Sequence, residues 1–248
     1  MSERELPKQE ISEHFQELRL RLLYSFLAIA IAFVLLFPFS KKILLFLQKP
    51  LPRSLVGKLV FLSPGDALIV SMKVTLFAAL ILSSPFWIYQ FWKYIEPALY
   101  EHEKRLIVPA FFITLILFLL GISFSYLVVL PFSLRFLLSF AGDMLTPQIT
   151  IDNYISFVIR MILAFGIIFL LPVVSYLLGK LGVISSTILK YYRKYAIVVI
   201  FLIAAILTPP DIFSQVMLAV PLLALYEISI IILKIIEKRS KKVFHYKE

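Results

Sequence analysis

The stretch IVPAFFITLILFLLGISFSYLVVLPF, residues 107–132, decides the fold of this chain. It carries no charged side chain, and about 20 consecutive apolar residues are enough for a helix to cross the hydrocarbon core of a bilayer. The composition of the whole chain agrees, because 61% of its 248 residues are hydrophobic, whereas soluble domains are about 45–50% apolar. The sequence therefore predicts an all-α integral membrane protein.

Further apolar runs predict six membrane-spanning helices in total, within one membrane domain, residues 1–248. The additional runs are residues 23–39, 67–92, 154–178, 195–207 and 215–233. The run 195–207 is too short for an upright span and ends at TPPD, residues 208–211, so it predicts a short helical hairpin with the last span. Prolines interrupt most of the runs and predict kinked helices in a cupped bundle: Pro85, Pro109, Pro131, Pro172 and Pro221.

The distribution of lysine and arginine predicts the orientation of the spans. Six spans place both termini on one side, and that side collects most of the 25 basic residues, so we expect it to be cytoplasmic. The basic loop 40–66 is expected on the outer interface. Residues 1–22 are predicted to form an amphipathic cytoplasmic tail, and residues 234–248 a basic one. Apolar residues recur at helical spacing in the first of these tails: Ile11, Phe15, Leu18 and Leu22.

The residue inventory argues against several classes of function. The chain has no cysteine and only three histidines, which lie far apart in the sequence, so we expect no metal site, no cofactor and no membrane-embedded enzyme. There is no phosphate-binding P-loop motif. The formal net charge of +10 is attributed to basic residues that flank membrane helices, and nucleic acid is not an expected partner.

Ionisable groups inside predicted spans are costly, so each is a functional candidate. Glu227 lies within the last span, far in sequence from either basic flank. It is either a protonated glutamate that is hydrogen-bonded inside the bundle or a functional carboxylate. Ser214 and Gln215, near the start of the same span, are candidates for one polar seam with it. Asp66 and Lys73 are seven residues apart on one helix face, and we favour an interfacial pair whose lysine extends outward.

Two further polar residues lie near the ends of predicted spans. Arg160 is just inside the fourth span and is expected to extend toward the interface. Gln90 lies between Tyr89 and Trp92 near the inner end of the second span. Its neighbours are typical of the aromatic belt at a membrane surface.

Five segments together resemble one known family. HFQELRLRL (14–22), LSPGD (62–66), SPFWIYQFWKYIEPALYEHEKR (84–105), FLLGISFSYLVVLPFSLRF (118–136) and TPPDIFSQVMLAVPLLALYEISI (208–230) occur in this order. Each alone is weak, but in this order and with six spans they resemble the TatC family, the multispanning receptor subunits of the twin-arginine protein translocase. The chain departs from the family pattern at Leu170, where the family usually has a glutamate, and at Tyr94, where it often has phenylalanine.

The resemblance implies a receptor for export signals that carry consecutive arginines. A guanidinium pair is matched by carboxylates, because a planar fork and a carboxylate form two parallel hydrogen bonds. The family's recognition site corresponds to the acids Glu17 and Glu103. The expected signal-binding set further includes Arg19, Tyr94 and Arg105.

Other acids of the loop between the second and third spans rank lower. Glu96 and Glu101 are local acids, and the ordinary alternative for Glu101 is an i, i+4 pair with Arg105, worth about 0.2–0.5 kcal/mol. Without the resemblance, these charges are those of a solvated loop.

The resemblance also implies partners and a location. Single-span subunits of the TatA and TatB type are expected to dock on the bundle, where the candidate polar residues are Gln215, Glu227, Gln90 and Ser214. Structural residues are expected on the outer face: Asp66, Pro64 and Asp211. Signal peptides of folded cargo proteins, membrane lipid and self-association complete the expected contacts. The resemblance places the protein in a prokaryotic cytoplasmic membrane, with transport energised by the proton gradient.

The alternative function is a proton-coupled transporter of small solutes. Such folds often contain inverted repeats with broken helices at corresponding places. No convincing repeat relates residues 23–132 to residues 154–233, because the apolar runs of the two halves differ in length. We therefore favour the receptor.

Overall fold

The computed structural model describes residues 11–52, 59–98, 107–139, 148–207 and 212–245. Within these ranges the regular structure is helical, and strand pairing is limited to an isolated bridge between Val60 and Thr150. The prediction of an all-α protein is confirmed. The helices of the described residues are α1 (Ile11–Leu36), α2 (Ser40–Leu47), α3 (Asp66–Leu82), α4 (Ser84–Ile95), α5 (Ile107–Phe124), α6 (Leu130–Ser139), α7 (Ile151–Ile168), α8 (Leu171–Lys180), α9 (Ser186–Tyr191), α10 (Arg193–Leu207) and α11 (Ile212–His245).

Among the described residues, four stretches are long and apolar enough to cross a membrane. They are Phe15–Leu47, Ile107–Ser139, Ile151–Lys180 and Gln215–Lys238. The pair α3 and α4 forms a fifth if the two helices, bent by 55° at their junction, are one span. Helix α10 has 15 residues, which is shorter than the ~20 that an upright span needs, as expected for the short hairpin.

The N-terminal segment and the first apolar run form one uninterrupted helix, α1. A 3₁₀ turn at Phe37–Phe39 then leads into α2, so the segment after residue 39 begins as a helix rather than as a loop. Two tyrosine hydroxyls hold the C-terminal end of α2. Tyr126 donates to the Phe46 carbonyl at 2.6 Å and Tyr154 to the Leu47 carbonyl at 2.8 Å, so this helix is fixed to the bundle.

Three of the five prolines lie at helix breaks, as the sequence predicts. Pro85 and Pro172 occupy the first turns of α4 and α8, and Pro131 follows a π-helical turn at Ser125–Val129. The other two prolines do not lie at breaks between described helices. Pro109 lies in the first turn of α5, where no backbone hydrogen bond is lost, and Pro221 lies inside α11.

The core of the protein is built around α7. Its residues Ile155, Val158, Met161 and Phe165 are at most 1% exposed. Helix α5 approaches α7 at two glycines. A Cβ atom on Gly121 would lie 2.5 Å from the Phe165 carbonyl oxygen, and one on Gly166 would lie 2.9 Å from the ring of Phe118. Small residues at this crossing therefore permit the close approach of two apolar helices.

The last helix extends beyond its predicted span. We expected the span to end at residue 233, yet α11 continues to His245. Its continuation contacts α9, because Glu237 accepts hydrogen bonds from the backbone nitrogen and the hydroxyl of Ser186, both at 2.6 Å. A hydrogen-bond contact with Lys234, reinforced by charge repulsion, lowers the pKa of the neighbouring Lys190 ammonium. The continuation of α11 is thus in contact with the rest of the bundle at Glu237.

Candidate functional site

Glu17 of the N-terminal helix is held in a charged cluster between α1 and α4. Arg21, one turn after Glu17, donates its Nε to Glu17 Oε1 at 3.0 Å, and its Nη2 contacts the same oxygen. The third nitrogen, Nη1, donates to Gln90 Oε1 at 3.3 Å. Both side chains of the pair are only partly exposed, Arg21 at 19% and Glu17 at 26%. One guanidinium therefore bridges the acid of α1 to the amide of α4.

A groove of about 280 Å³ runs beside this cluster between the two helices. Arg21, Gln90 and Tyr94 line it together with apolar side chains, among them Leu18, Leu22, Phe26, Trp87 and Phe91. Arg19 is exposed on α1. The structure thus brings the predicted residues Glu17, Gln90 and Tyr94 close together. The charged cluster of Glu17 and Arg21 lies beside a groove lined mainly by apolar side chains.

Arg21 is a central residue of this cluster, although the signal-binding set expected from the sequence does not include it. The sequence indicates the contact between Arg21 and Glu17, because the two have the i, i+4 spacing at which a glutamate and an arginine pair on a helix. Its contact with Gln90 was not available, since 69 residues separate the two in the chain.

Several residues assigned from the sequence lie outside the described residues. They are Glu101, Glu103 and Arg105 of the loop after α4, and Asp211 before α11. The acid nearest to that loop on the described side is Glu96. Its carboxylate lies 2.7 Å from the Lys93 ammonium, so this acid already has a cationic partner.

The sequence left two alternatives for Glu227, a glutamate hydrogen-bonded inside the bundle or a functional carboxylate, and the structure pairs its side chain with an arginine outside the buried interior. Its carboxylate lies 2.8 Å from Nη2 of Arg193, and the two side chains are 46% and 48% exposed. Helices α10 and α11 are antiparallel neighbours, and the part of α11 from Ile212 to Glu227 is about as long as the whole of α10. The first residue of α10 is therefore level with the middle of α11, and a basic flank reaches Glu227 through space.

Gln215 and Glu227 do not form the proposed polar seam. The Gln215 amide donates to the Phe201 carbonyl of α10 at 2.9 Å, whereas Glu227 pairs with Arg193. Twelve helical residues separate the two positions by about 18 Å. The side chain of Ser214 lies outside the described residues.

The predicted pair between Asp66 and Lys73 is wrong. Lys73 donates to Oδ1 of Asp152 at 2.6 Å and to the Ser156 hydroxyl at 3.1 Å, both on α7. Asp66 instead accepts from the backbone nitrogens of Leu62 and Ser63, each at 2.9 Å. Spacing on one helix could not reveal that a second helix supplies the carboxylate. The loop that contains Pro64 is thereby held to the start of α3.

Leu170, which replaces the glutamate usual in the family, lies at the break between α7 and α8. Its carbonyl accepts from the backbone nitrogens of Val173 and Val174. Its side chain packs against an apolar cluster that includes Trp92, Phe118 and Val173. A leucine is therefore accommodated here by ordinary apolar packing.

The fold and the groove define a multispanning helical membrane protein with a charged cluster at one end of its first helix. A crystal structure of the twin-arginine translocase receptor TatC superposes with a TM-score of 0.80 at 43% identity, covering 90% of this chain and 98% of that one. The chain is also 43% identical to the Sec-independent protein translocase protein TatC of Aquifex aeolicus (strain VF5), over 94% of this chain and 98% of the relative.

A second relative, the protein of the same description from Helicobacter pylori (strain J99 / ATCC 700824), is 43% identical over 94% of this chain and 92% of its own. The family profile described as Sec-independent protein translocase protein (TatC) matches residues 13–221. The chain belongs to the TatC family. These relatives lend no support to the alternative of a small-solute transporter.

Proposed function

We propose that this chain is the receptor subunit of a twin-arginine translocase and that Glu17 is one of the carboxylates that hold the paired arginines of an export signal. The observation that carries the proposal is the pairing of Glu17 with Arg21, which lines a groove whose other side chains are mostly apolar. Export signals carry a basic segment followed by an apolar one, and the groove offers surfaces of the same two kinds side by side.

The Glu17 carboxylate has the hydrogen-bonding capacity for a second guanidinium in addition to Arg21. Both donors of Arg21 contact the same oxygen, Oε1, and a carboxylate has about four lone-pair sites on its two oxygens. An incoming arginine therefore finds Oε2 without first breaking the pair. Because both side chains are less than one third exposed, the contact is less screened than one at a fully solvated surface.

The remaining residues of the site complete the recognition of the signal. Glu103, which lies outside the described residues, supplies the second carboxylate. Tyr94 lines the same groove as Arg21, while Arg19 and Arg105 shape the surrounding charge. Glu96 ranks below Glu17 and Glu103, as a local acid whose carboxylate lies 2.7 Å from the Lys93 ammonium.

In the membrane, α10 is the short fifth of six spans and both termini face the cytoplasm. The start of α1 and helix α9 then lie on the cytoplasmic side, and the segment before α3 lies outside. Single-span subunits of the TatA and TatB type dock on the hairpin of α10 and α11. Three side chains on one stripe of α10 support this docking, because no other part of the described chain covers them: Val198, Leu202 and Ile206, 60–71% exposed.

The test of the receptor function is binding of a fluorescent twin-arginine signal peptide to the purified protein in detergent, with a twin-lysine peptide beside it. We expect a clear preference for arginine, since a lysine is a point charge without the bidentate fork. Glu17→Ala and Glu103→Ala should each remove that preference. Glu96→Ala is the matched control and should bind like the unaltered protein.

Equal binding of both peptides, or normal binding by the double variant at positions 17 and 103, would overturn the proposal. An equal loss in Glu96→Ala would mean that the peptide responds to the total negative charge of this surface and not to a defined site.

A further inference from the structure

A second groove, of about 350 Å³, lies between α3 and α7, away from the signal-binding cluster. Lys73, Ser156 and Arg160 form its polar part, and apolar residues of the same two helices form the rest, among them Leu76, Leu80 and Leu163. Nothing in the receptor function proposed above uses this groove.

Two cationic groups converge on one residue of this groove. Lys73 Nζ donates to the Ser156 hydroxyl at 3.1 Å, and Arg160 Nε donates to the Ser156 carbonyl at 3.1 Å. The Arg160 side chain thus turns back by one helical turn, toward the start of α7. Both heads therefore lie at the end of the groove that is nearer the beginnings of α3 and α7.

The charges in the groove do not cancel. Asp152 neutralises Lys73 at 2.6 Å, whereas Arg160 forms no ion pair with any carboxylate of the residues that the structure describes. Asp66, on the same end of α3, is engaged with two backbone nitrogens. One positive charge therefore remains on a surface within a candidate span, Ile151–Lys180, where an unbalanced charge is costly.

The polarity of the groove changes along the membrane normal. The span Ile151–Lys180 has 30 residues, and at 1.5 Å per residue it is about 45 Å long, close to the full thickness of a bilayer with its headgroups. Arg160 is about 14 Å from the start of that span, and its head reaches back toward the headgroup layer. Leu76 and Leu80 follow Lys73 along α3, and Leu163 follows Arg160 along α7, so the apolar lining continues beyond the cationic residues in the direction of both helices.

We propose that this groove binds one anionic phospholipid, with its phosphate at Arg160 and Lys73 and an acyl chain along the leucines. The two cations match the negative charge of the phosphate, because basic pockets between membrane helices are suited to lipid headgroups. The leucines that continue toward the bilayer centre match the direction of an acyl chain. With the orientation proposed above, the lipid belongs to the outer leaflet. It bridges α3 and α7 beside the Lys73–Asp152 pair.

The test measures lipid retention by native mass spectrometry, after the purified protein is titrated with phosphatidylglycerol or with phosphatidylcholine. We expect the unaltered protein to prefer phosphatidylglycerol and Arg160→Gln to lose that preference, with a decrease of roughly fivefold in phosphatidylglycerol affinity, as one basic residue near a membrane surface contributes. Arg135→Gln is the matched control, because Arg135 is an exposed arginine near the end of α6 and is not among the groove residues.

A second variant keeps the test independent of the charges. Leu76→Trp adds bulk to the apolar part of the groove at a side chain that is 52% exposed, and it leaves the cations in place. We expect it to reduce phosphatidylglycerol retention while the protein keeps its melting temperature.

Three results would overturn the proposal. They are an unaltered protein that binds both lipids equally, an Arg160→Gln variant that keeps its preference, and a Leu76→Trp variant that retains as much lipid as before. If Arg160→Gln keeps its lipid preference but no longer co-purifies with a single-span subunit, the groove holds a partner's carboxylate in place of a lipid.

Discussion

Arg193 and Glu227 form an ion pair of 2.8 Å that joins α10 to α11. Both are near the middle of the exposure range, so the pair is neither buried nor fully solvated. The Tyr226 hydroxyl, next to Glu227, donates to the Leu189 carbonyl at 2.6 Å. Two adjacent residues of α11 therefore bind two neighbouring helices, Tyr226 to α9 and Glu227 to α10. Glu227, which lies far from basic residues in the sequence, has a basic partner in the structure.

We expect Arg193→Gln and Glu227→Gln each to lower the stability of the protein by about 1 kcal/mol or less, as is usual for partly exposed pairs. The double variant should cost less than the sum of the two single variants, because the second change removes a partner that is already lost. Thermal unfolding of the four proteins in one detergent measures this coupling. Strictly additive effects would show that the pair does not contribute.

Arg21→Gln should bind the twin-arginine peptide more tightly, by roughly two- to fivefold, because Glu17 then keeps its full negative charge. The measurement is a peptide titration at low and moderate salt, with Arg19→Gln as the control for loss of one nearby positive charge. Weaker binding by Arg21→Gln would mean that Arg21 orients Glu17, and that the pair is needed intact.

Gly121→Ala should destabilise the protein by about 1–3 kcal/mol, the usual cost of excess volume in a packed core. The new methyl group would lie 2.5 Å from a backbone oxygen of α7, which cannot move as a side chain can. Gly65→Ala is the control, because the nearest atom to its added methyl group is 3.9 Å away. Unchanged melting temperatures for both variants would contradict the close crossing of α5 and α7.

The absence of cysteine from the chain permits a direct test of orientation. Leu62→Cys and Tyr191→Cys place single thiols at side chains that are 79% and 72% exposed. In spheroplasts, a membrane-impermeant maleimide should label residue 62 at once and residue 191 only after the membrane is opened. Phe15→Cys, at a side chain that is 67% exposed, should behave like residue 191. Labelling of all three in intact spheroplasts would refute the proposed topology.

A photoreactive amino acid at position 202 or 206 of α10 should crosslink to a single-span subunit when the translocase is assembled. The same amino acid at Phe112 or Ile116 of α5 is the control, since these side chains are similarly exposed, at 54% and 55%. We expect the control positions to react mainly with lipid. Equal protein adducts from both helices would show that docking is not confined to the hairpin.

The sequence by itself determined the class of the fold and the approximate limits of its helices. Long runs without charge can only be stable in a bilayer as helices that satisfy their own backbone hydrogen bonds, and this local requirement can be read from composition. The sequence also predicted the helix breaks near Pro85, Pro131 and Pro172, because a proline removes a backbone hydrogen bond of its own helix. The family motifs pointed to Glu17 by the same kind of local pattern.

Only the tertiary structure decided the partners of the charged groups. Arg21 meets Gln90 across 69 residues, Lys73 meets Asp152 across 79, and Arg193 meets Glu227 across 34. Spacing along one helix indicates only partners within that helix. It therefore could not identify these three contacts, each of which joins two different helices. The choice depends on which helices pack together and at what height, because an ion pair is worth most to groups that the fold brings within a few ångströms of each other.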